Sequence, residues 1–591
     1  MMTIFPQPKK IKYTGAFVNP ERSFNIVRDD FKAQELEFAI AKLSLRENGI
    51  PLSFILNSEY KKEQYTLELK NDNAIITAST PHGVFDAIIT LLQILKQEDL
   101  CCVIIDDEPD FENRVLMIDY SRGRIPTIET LKKTIDMISA MKYNQIQMAF
   151  DSIVFEYKGL EKYYEGRSIV SADYVAQIQN YCKKNFIQLV PNQNSFGHMN
   201  EWLGLDDFKD LAECPDGFHR TDEYNRVCLL SPGTLNPYDP RSLELVDRIY
   251  SGLLPYFDSP LIHACCDETF DLKSAEGKSG EKVKKLGINK VYTEYMNKLV
   301  KLCNKYGKRM MFWADMIMDD VDALKDMPKE AIAVIWGYEQ EFPFEKYCSN
   351  VHESGLDLYV APGTCAWGSI VGRSNNMKYN QLSAAESGKK YGAKGYLLTD
   401  WGDCGHTQFP VITYVPIAYG AGLSWGVDEN KVIDKACKYL DENIFFEDGF
   451  ARFVYECGNA HCLEAYKRFN QTALVTAIWN KLDDTYYLYD QTPEHFMNIV
   501  RLAQEQLSKL DGFKNCPREH IEEVKLNLEM LRTIAKVCII KTGGEVDRDE
   551  IIAEFETENV RFKKMWLEKN TSHFSDTYIN YTKRLMQEMK Q

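Results

Sequence analysis

Eight short apolar segments recur between residues 111 and 430, and amphipathic helical or loop stretches separate them. The segments are residues 115–120, 145–150, 187–191, 261–266, 310–315, 332–336, 356–361 and 395–400. Strands that are apolar throughout and alternate with helices are typical of a parallel sheet that helices cover. Eight such units predict a (β/α)8 TIM barrel, which typically takes about 250 residues plus insertions. A doubly wound open sheet is the alternative, but no G-x-G-x-x-G pattern follows a strand.

Two regions flank this predicted barrel of residues 111–430. Residues 1–110 predict a small N-terminal α/β domain, in which residues 65–69 alternate like a half-buried strand and residues 74–77 form a second one after a turn. Residues 431–591 show no strand-like alternation, and their apolar stripes at helical spacing predict a C-terminal helical domain. The predicted fold class is therefore α/β, with the helical domain packed on the barrel.

The composition excludes several kinds of partner. The 591-residue chain has a formal net charge of −17, which argues against nucleic acid or an anionic membrane as a partner because both require a basic surface. No apolar run approaches the ~20 residues that span a bilayer, and we find no signal peptide at the N-terminus. The 16 cysteines lie in apolar segments without zinc-ligand spacing, so we expect reduced thiols, no metal, no cofactor and a cytoplasmic location.

Charged and aromatic residues follow the ends of the eight segments, where barrel enzymes place their active sites. They are Asp119, Arg122, Asn192, Asn194, His198, Asp267, Glu268, Trp313, Asp315, Trp336, Trp367, Trp401 and Asp403. Four of the eight tryptophans of the chain belong to this set. Indole rings around carboxylates suit a sugar, whose C–H faces pack on aromatic rings while its hydroxyls bind charged groups. The strand ends therefore predict a carbohydrate site.

Asp267 and Glu268 are the candidate catalytic pair, because they directly follow the apolar run Leu-Ile-His-Ala-Cys-Cys. Poor solvation and a neighbouring like charge both favour keeping one carboxyl group of such a pair protonated near neutral pH. Successive strand residues point in opposite directions, so the two groups would approach a ligand from different sides. Taken alone, an acid pair at a strand end is also typical of a solvated or helix-capping pair.

With these residues the sequence resembles glycoside hydrolase family 20, the β-N-acetylhexosaminidases. Residues 263–268, HACCDE, are similar to the family signature H-x-G-G-D-E, with cysteines in place of both glycines. Residues 115–126, 191–203 and 399–406 resemble its first-, third- and eighth-strand motifs. The N-terminal region also resembles the small domain that commonly precedes this barrel, and the C-terminal region resembles that of one bacterial branch.

The resemblance implies an exo-acting, retaining hydrolase without an enzymatic nucleophile, a recognised exception among glycosidases. Glu268 would be the general acid, and the 2-acetamido carbonyl of the substrate would attack C1 to form an oxazolinium ion. Asp267 would orient the acetamido N–H and stabilise the developing positive charge. The implied substrate is a glycan or glycoconjugate with a terminal N-acetylhexosamine. An intramolecular nucleophile is effective because its effective molarity can be very high.

Further residues carry over from the family motifs. Arg122 matches the arginine that binds O3 and O4, and Asp403 with Trp401 matches the pair that binds the far hydroxyls and floors the pocket. Trp313 and Trp336 match wall tryptophans. His198 and His263 match histidines beside the catalytic carboxylates, and we expect them to support the site rather than to transfer protons.

The sequence departs from the family pattern after strand seven and at the end of strand two. The family has a tyrosine and then an aspartate after strand seven, where this sequence has Trp367 and Ser369. Tyr338, just after strand six, is therefore the candidate contact of the acetamido carbonyl. Asp315 is either a contact near the substrate or a solvated acid. Strand two ends in Asp151-Ser152 instead of the family's acidic-aromatic run.

Two alternative functions remain open at this point. One is a conventional retaining β-glycosidase that uses Glu268 and a second carboxylate, such as Asp315, as the nucleophile. The other is a catalytically silent sugar-binding protein, since a fold alone does not guarantee activity. The implied terminal sugar is GlcNAc or GalNAc, and a homodimer is the candidate assembly.

Overall fold

The computed structural model describes every residue except 1–3, 20–21, 98–99, 223, 275, 404, 427–431 and 573. The N-terminal region contains a six-stranded mixed sheet with the strand order β1-β6-β4-β5-β3-β2. The strands are β1 (Lys10–Ala16), β2 (Phe24–Asp29), β3 (Ile50–Leu56), β4 (Tyr65–Leu69), β5 (Ala74–Ala78) and β6 (Cys101–Asp107). The helices are α1 (Glu37–Ile40) and α2 (Pro81–Leu95). The two strands predicted here are β4 and β5, which pair antiparallel.

Eight parallel strands close into a barrel in the second region, which confirms the predicted fold class. The strands of this region are β7 (Asn113–Asp119), β8 (Gln145–Phe150), β9 (Gln188–Gln193), β10 (Phe218–Thr221), β11 (Val227–Leu230), β12 (Leu261–His263), β13 (Arg309–Trp313), β14 (Ile332–Trp336), β15 (Asp357–Ala361) and β16 (Gly395–Asp400). β10 and β11 form a separate hairpin after β9, and the other eight form the barrel. Each barrel strand overlaps one of the eight predicted segments.

Helices cover the outside of the barrel, as the apolar strands require. They are α3 (Ile128–Ala140), α4 (Ala172–Lys184), α5 (Asn200–Leu203), α6 (Pro240–Leu253), α7 (Gly280–Leu286), α8 (Ile288–Lys305), α9 (Val321–Lys325), α10 (Phe344–Ser354), α11 (Ser374–Lys390) and α12 (Val411–Trp425). The Thr127 hydroxyl caps α3 by accepting a hydrogen bond from the Thr130 N–H. Inside the barrel, Val115, Met117, Met311 and Val334 pack against one another beneath the strand ends.

The C-terminal region is helical. Its helices are α13 (Val432–Leu440), α14 (Phe450–Cys457), α15 (Ala473–Trp479), α16 (Pro493–Lys509), α17 (Arg518–Lys541), α18 (Arg548–Lys569) and α19 (Phe574–Met589). The Asn527 side chain joins α17 to the barrel, because it accepts from the Phe409 N–H and donates to the Thr407 carbonyl. Among the described residues, none of the helices has the length and apolarity needed to span a bilayer.

Candidate active site

A cavity of about 250 Å³ lies at the carboxyl ends of the barrel strands. Its lining residues are Arg122, Asp151, His198, Asp267, Glu268, Trp313, Trp336, Tyr338, Trp401, Asp403, Phe469 and Asn470. Nine of these residues were predicted from the sequence, and Asp151, Phe469 and Asn470 were not. A larger cleft of about 960 Å³ lies between the barrel and the helical region and shares none of these residues. The catalytic candidates therefore lie in the smaller cavity.

The segment that carries the acid pair leaves the strand earlier than predicted. β12 ends at His263 rather than at residue 266, because Cys265 and Cys266 adopt φ values of 57° and 74°. Glu268 has a φ of 49°. Side chains are strained in this left-handed region, and such strain persists where the surrounding structure holds it, often at functional sites. The two cysteines thus occupy positions whose backbone conformation favours glycine.

Backbone hydrogen bonds to the neighbouring strand hold this segment in place. The Ala264 N–H donates to the Met311 carbonyl at 2.8 Å, and the Trp313 N–H donates to the Cys265 carbonyl at 3.0 Å. The Glu268 N–H donates to Asp315 Oδ2 at 3.0 Å. The segment that carries the pair is therefore anchored on both sides of Asp267, to β13 and to Asp315, two residues beyond that strand.

Asp315 supports this segment and does not line the cavity. Its other oxygen, Oδ1, accepts a hydrogen bond from Trp336 Nε1 at 3.2 Å. Burial, together with the charge of Asp267, raises the pKa of Asp315 to about 8. Asp315 is therefore mostly protonated at neutral pH and is placed to hold the Glu268 backbone.

His198 lies between the two candidate catalytic carboxylates. Its Nε2 is 3.3 Å from Asp267 Oδ2 and 3.4 Å from Glu268 Oε2. Burial alone would lower the pKa of His198, but the charge of Asp267 and hydrogen bonds to both carboxylates outweigh it and hold that pKa well above its usual value. Gly197 permits this close approach, because a Cβ there would lie 2.0 Å from the Asp267 carbonyl oxygen.

Asp267 presents a free acceptor. Its Oδ1 is buried and has no hydrogen-bond partner among the described residues, whereas its Oδ2 faces His198. Burial raises the pKa of the Asp267 carboxyl group, and the positive charge of His198 opposes this shift. An imidazolium beside a buried carboxylate favours the ionised form of the acid.

Arg122 is surrounded by acidic residues near the ends of β7, β8 and β16. It forms ion pairs with Asp119, at 3.3 Å, and with Asp151, and its guanidinium lies over the Trp401 ring at 5.5 Å. Burial raises the pKa of Asp403 to about 6, although the positive charge of Arg122 opposes the shift. Asp151 directly follows β8, so its strand-end position was the signal that sequence reasoning had available.

Aromatic rings form the remaining walls. The ring centroids of Trp313 and Trp401 are 6.0 Å apart, and those of Trp336 and Tyr338 are stacked at 5.3 Å. Trp401 Nε1 donates to the Tyr338 hydroxyl at 2.6 Å. Since that hydroxyl accepts from the indole, its own proton can be donated either to Thr399, its other side-chain partner, or to a ligand oxygen.

The structure places two further predicted residues behind the walls. His263 is fully buried against Trp313, with ring centroids 4.2 Å apart, and burial lowers its pKa to about 3, so it is a neutral core histidine. Trp367 is also fully buried and contacts the Tyr338 ring edge-on at 4.9 Å. The chain turns inward after β15, and the Trp367 indole packs over Gly363, where a Cβ would be 2.4 Å from it. Trp367 therefore supports Tyr338 and does not reach the cavity, contrary to the prediction.

One cluster of side chains of the metal-ligand type occurs among the described residues, away from this cavity. Glu63, His82 and Asp86 bring their ligand atoms within 4.8 Å of one another between the N-terminal sheet and the barrel. Arg114 forms an ion pair with Glu63, and Asn144 donates to Glu63 at 3.0 Å. The cluster is thus already part of a network of charges within the protein.

Comparison with known proteins agrees with this architecture. Residues 111–391 match the family model described as glycosyl hydrolase family 20, catalytic domain, and residues 1–108 match that described as glycosyl hydrolase family 20, domain 2. The crystal structure of a chitobiase from Flavobacterium johnsoniae aligns with 98% of this chain and 99% of its own, with a TM-score of 0.61 and 15% identity. At this identity the structural likeness concerns the fold alone.

Curated relatives match somewhat more than half of this chain. Beta-hexosaminidase 1 of Coccidioides posadasii is 24% identical over 348 residues, which are 54% of this chain and 57% of that protein. The chitooligosaccharidolytic beta-N-acetylglucosaminidase of Bombyx mori is 22% identical over 381 residues, which are 58% of this chain and 62% of that protein. The chain thus spans somewhat more than half the length of these relatives.

Proposed function

Because the chain belongs to glycosyl hydrolase family 20, we propose that it is an exo-acting β-N-acetylhexosaminidase. Its substrate is a glycan or glycoconjugate with a terminal, non-reducing β-linked GlcNAc or GalNAc. The observation that carries this proposal is the Asp267–Glu268 pair, bridged by His198 in a small cavity with indole walls. A general acid and a separate buried carboxylate beside an aromatic sugar site suit glycoside hydrolysis.

In the proposed reaction, Glu268 protonates the glycosidic oxygen while the acetamido carbonyl oxygen of the substrate attacks C1. The bond between C1 and the leaving oxygen breaks, and an oxazolinium ion forms. The free Oδ1 of Asp267 accepts the acetamido N–H and stabilises the positive charge. Glu268, now ionised, removes a proton from the water that attacks C1, while the bond between C1 and the acetamido oxygen breaks and the acetamido group is restored. Because each of the two steps inverts C1, the anomeric configuration is retained.

Other cavity residues bind and orient the sugar in this proposal. The Tyr338 hydroxyl, which accepts from Trp401, donates its own proton to the acetamido carbonyl. Arg122 and Asp403 bind hydroxyls at the far end of the sugar, and Trp401 packs against its ring face. Trp313 also offers a buried indole N–H without a partner among the described residues.

The geometry gives less support to a conventional double displacement. Asp315 was the candidate nucleophile, but it lies outside the cavity lining and its carboxyl oxygens accept from the Glu268 N–H and the Trp336 indole. A pKa raised to about 8 also leaves it mostly protonated at neutral pH, and a protonated acid is a poor nucleophile. A silent sugar-binding protein would not require the paired acids.

A panel of aryl β-glycosides tests the proposed function. We expect turnover of the N-acetylglucosaminide or N-acetylgalactosaminide, and a rate lower by at least about 10³-fold on the glucoside, which lacks the intramolecular nucleophile. A thiazoline mimic of the oxazolinium ion should inhibit competitively. Equal rates on the glucoside would contradict substrate assistance, and binding without turnover of any glycoside would favour the silent alternative.

The pH dependence should reflect Asp403. Its buried carboxyl has a pKa of about 6, raised from the ordinary value, so the group loses its charge as the pH falls through 6. We expect kcat/KM, which reports the free enzyme, to fall in that range because neutral Asp403 accepts hydrogen bonds from the sugar hydroxyls less well. The measurement is a kcat/KM profile between pH 4 and pH 8. If Asp403→Asn shows the same fall in kcat/KM at low pH, that fall arises from the titration of another group.

The location and assembly of the protein remain proposals. Every cysteine among the described residues has a free thiol, including the adjacent Cys265 and Cys266. Free cysteines in this number suit a reducing compartment and so support a cytoplasmic location. A homodimer stays a prediction.

A further inference from the structure

The C-terminal helical region contributes a short segment to the candidate active site. The wall segment, residues 466–472, lies between α14 and α15. Its Phe469 and Asn470 line the cavity, whereas the ten other lining residues come from the barrel region. The helical region therefore takes part in forming the sugar site.

The backbone of the wall segment is held in one place. The Asn470 N–H donates to Glu339 Oε1 at 2.6 Å, and Arg373 binds both Glu339 oxygens at 2.9 and 3.0 Å. The Thr472 N–H donates to the Gly368 carbonyl at 2.8 Å. Gly368 has a φ of 59°, and a Cβ there would lie 2.5 Å from the Asn470 carbonyl oxygen. The turn after β15, where the sequence departs from the family pattern, thus accommodates this segment closely.

Asn470 connects the wall segment to Asp403. Its Nδ2 donates to Asp403 Oδ2 at 2.8 Å, and its Oδ1 faces Arg373 at 3.5 Å. These two partners agree on the orientation of the amide, since nitrogen is the donor and oxygen the acceptor. A hydrogen bond to a carboxylate favours its charged form and fixes its position. Asn470 therefore orients Asp403.

Phe469 presents an aromatic ring at the same end of the cavity. Its side chain is 58% exposed, although it lines the sugar cavity beside Asn470. It also lines a second cavity of about 290 Å³, together with Arg373 and Glu464. An exposed aromatic ring that lines a sugar cavity can pack against the apolar face of a sugar.

We propose that the wall segment determines which substituents the site accepts at the end of the sugar that is farthest from the scissile bond. Asn470 is a positioning residue that acts through Asp403, and Phe469 is a specificity residue that contacts the C4–C6 face. This inference rests on the proposed function, in which Asp403 binds the far hydroxyls. The helical region would thus act in sugar recognition as well as in packing.

The test compares Asn470 variants on three aryl β-N-acetylglucosaminides: the parent sugar, its 4-deoxy analogue and its 6-deoxy analogue. Asn470→Gly removes the amide without strain, because Asn470 has a φ of 59°. We expect KM on the parent sugar to rise about tenfold, the size of a lost hydrogen bond to a charged group, with a smaller change in kcat. On at least one deoxy sugar the change should be under about twofold, because the hydroxyl that Asp403 binds is missing.

A second variant keeps the shape of the residue. Asn470→Asp preserves the backbone bond to Glu339 and places a like charge beside Asp403, so we expect a larger loss on the parent sugar. The acid limb of kcat/KM should also move to higher pH, since a neighbouring carboxylate raises the pKa of Asp403 further. If kcat/KM of Asn470→Asp falls at the same pH as in the unmodified enzyme, the proposed action of Asn470 on Asp403 is contradicted.

Phe469→Ala should raise KM about fivefold, in the range of one lost aromatic packing contact, and Phe469→Trp should restore it. Phe446→Ala is the matched control, because Phe446 is also in the helical region, is 61% exposed and does not line the cavity. That control should keep the KM of the unmodified enzyme.

The outcomes separate this inference from the proposed function. A loss in Asn470→Gly that is equal on all three sugars, or no loss on any, would overturn the inference while leaving the hydrolase intact. Equal KM values for Phe469→Ala and Phe446→Ala would overturn the role of Phe469. If the unmodified enzyme turns over none of the N-acetylhexosaminides, the proposed function itself fails.

Discussion

Replacement of Glu268 by glutamine is expected to lower kcat/KM on an aryl β-N-acetylglucosaminide by about 10²- to 10⁴-fold, the usual contribution of a general acid. The amide has nearly the shape of the carboxylic acid but cannot donate a proton to the glycosidic oxygen. The Glu268 N–H bond to Asp315 involves only the backbone, so the segment should keep its conformation. The measurement is steady-state turnover of nitrophenyl substrates.

The acidity of the leaving group sharpens this test. A dinitrophenolate leaves without protonation, so the first step in Glu268→Gln should recover part of its rate on that substrate, while hydrolysis of the oxazolinium still lacks its base. Glu276→Gln is the control, since the Glu276 side chain is 65% exposed and lies outside the cavity. Unchanged turnover by Glu268→Gln would remove Glu268 from the mechanism.

The barrel was predictable because its strands are largely apolar and buried. A strand buried on both faces has a continuous apolar pattern, and its carboxyl end must carry the polar residues that face the cavity. Asp119, Arg122 and Asp403 could be placed in this way, since Asp119 ends β7 and the other two lie within three residues of the end of β7 or β16. The number of strand segments, eight, was also enough to predict a closed barrel, although the sequence shows no contacts between strands.

The parts of the site that depend on chain reversals were not predictable in the same way. Trp367 follows a strand but turns inward, and nothing in its local pattern distinguishes a wall residue from one behind the wall. Phe469 lies more than 60 residues beyond the last barrel strand in a loop between helices, so its place in the cavity depends on tertiary packing alone. The early end of β12 depends on positive φ values at Cys265 and Cys266, where the residue type gives no such signal.

Asp267→Asn is the second substitution with a large expected effect. The amide removes the charge that stabilises the oxazolinium in the proposed mechanism and leaves His198 beside Glu268 alone. We expect kcat on the N-acetylglucosaminide to fall about 10²- to 10³-fold, the range for loss of one preorganised electrostatic contact in a transition state. His198 should also titrate at a lower pKa, because Asp267 contributes to holding that pKa above its usual value.

Asp315→Asn is the matched comparison, because the carboxyl groups of Asp315 and Asp267 interact. Substrate assistance gives the main role to Asp267, whereas a conventional double displacement gives it to Asp315. With a pKa of about 8, Asp315 is already mostly neutral at pH 7, and an amide oxygen can still accept from the Glu268 N–H. Substrate assistance therefore requires Asp267→Asn to be the more damaged enzyme, with Asp315→Asn reduced about tenfold or less, the size of one weakened hydrogen bond. A conventional nucleophile at Asp315 requires the reverse order and a covalent adduct that a fluorosugar would trap. The order of the two kcat values thus decides whether the enzyme or its substrate supplies the nucleophile.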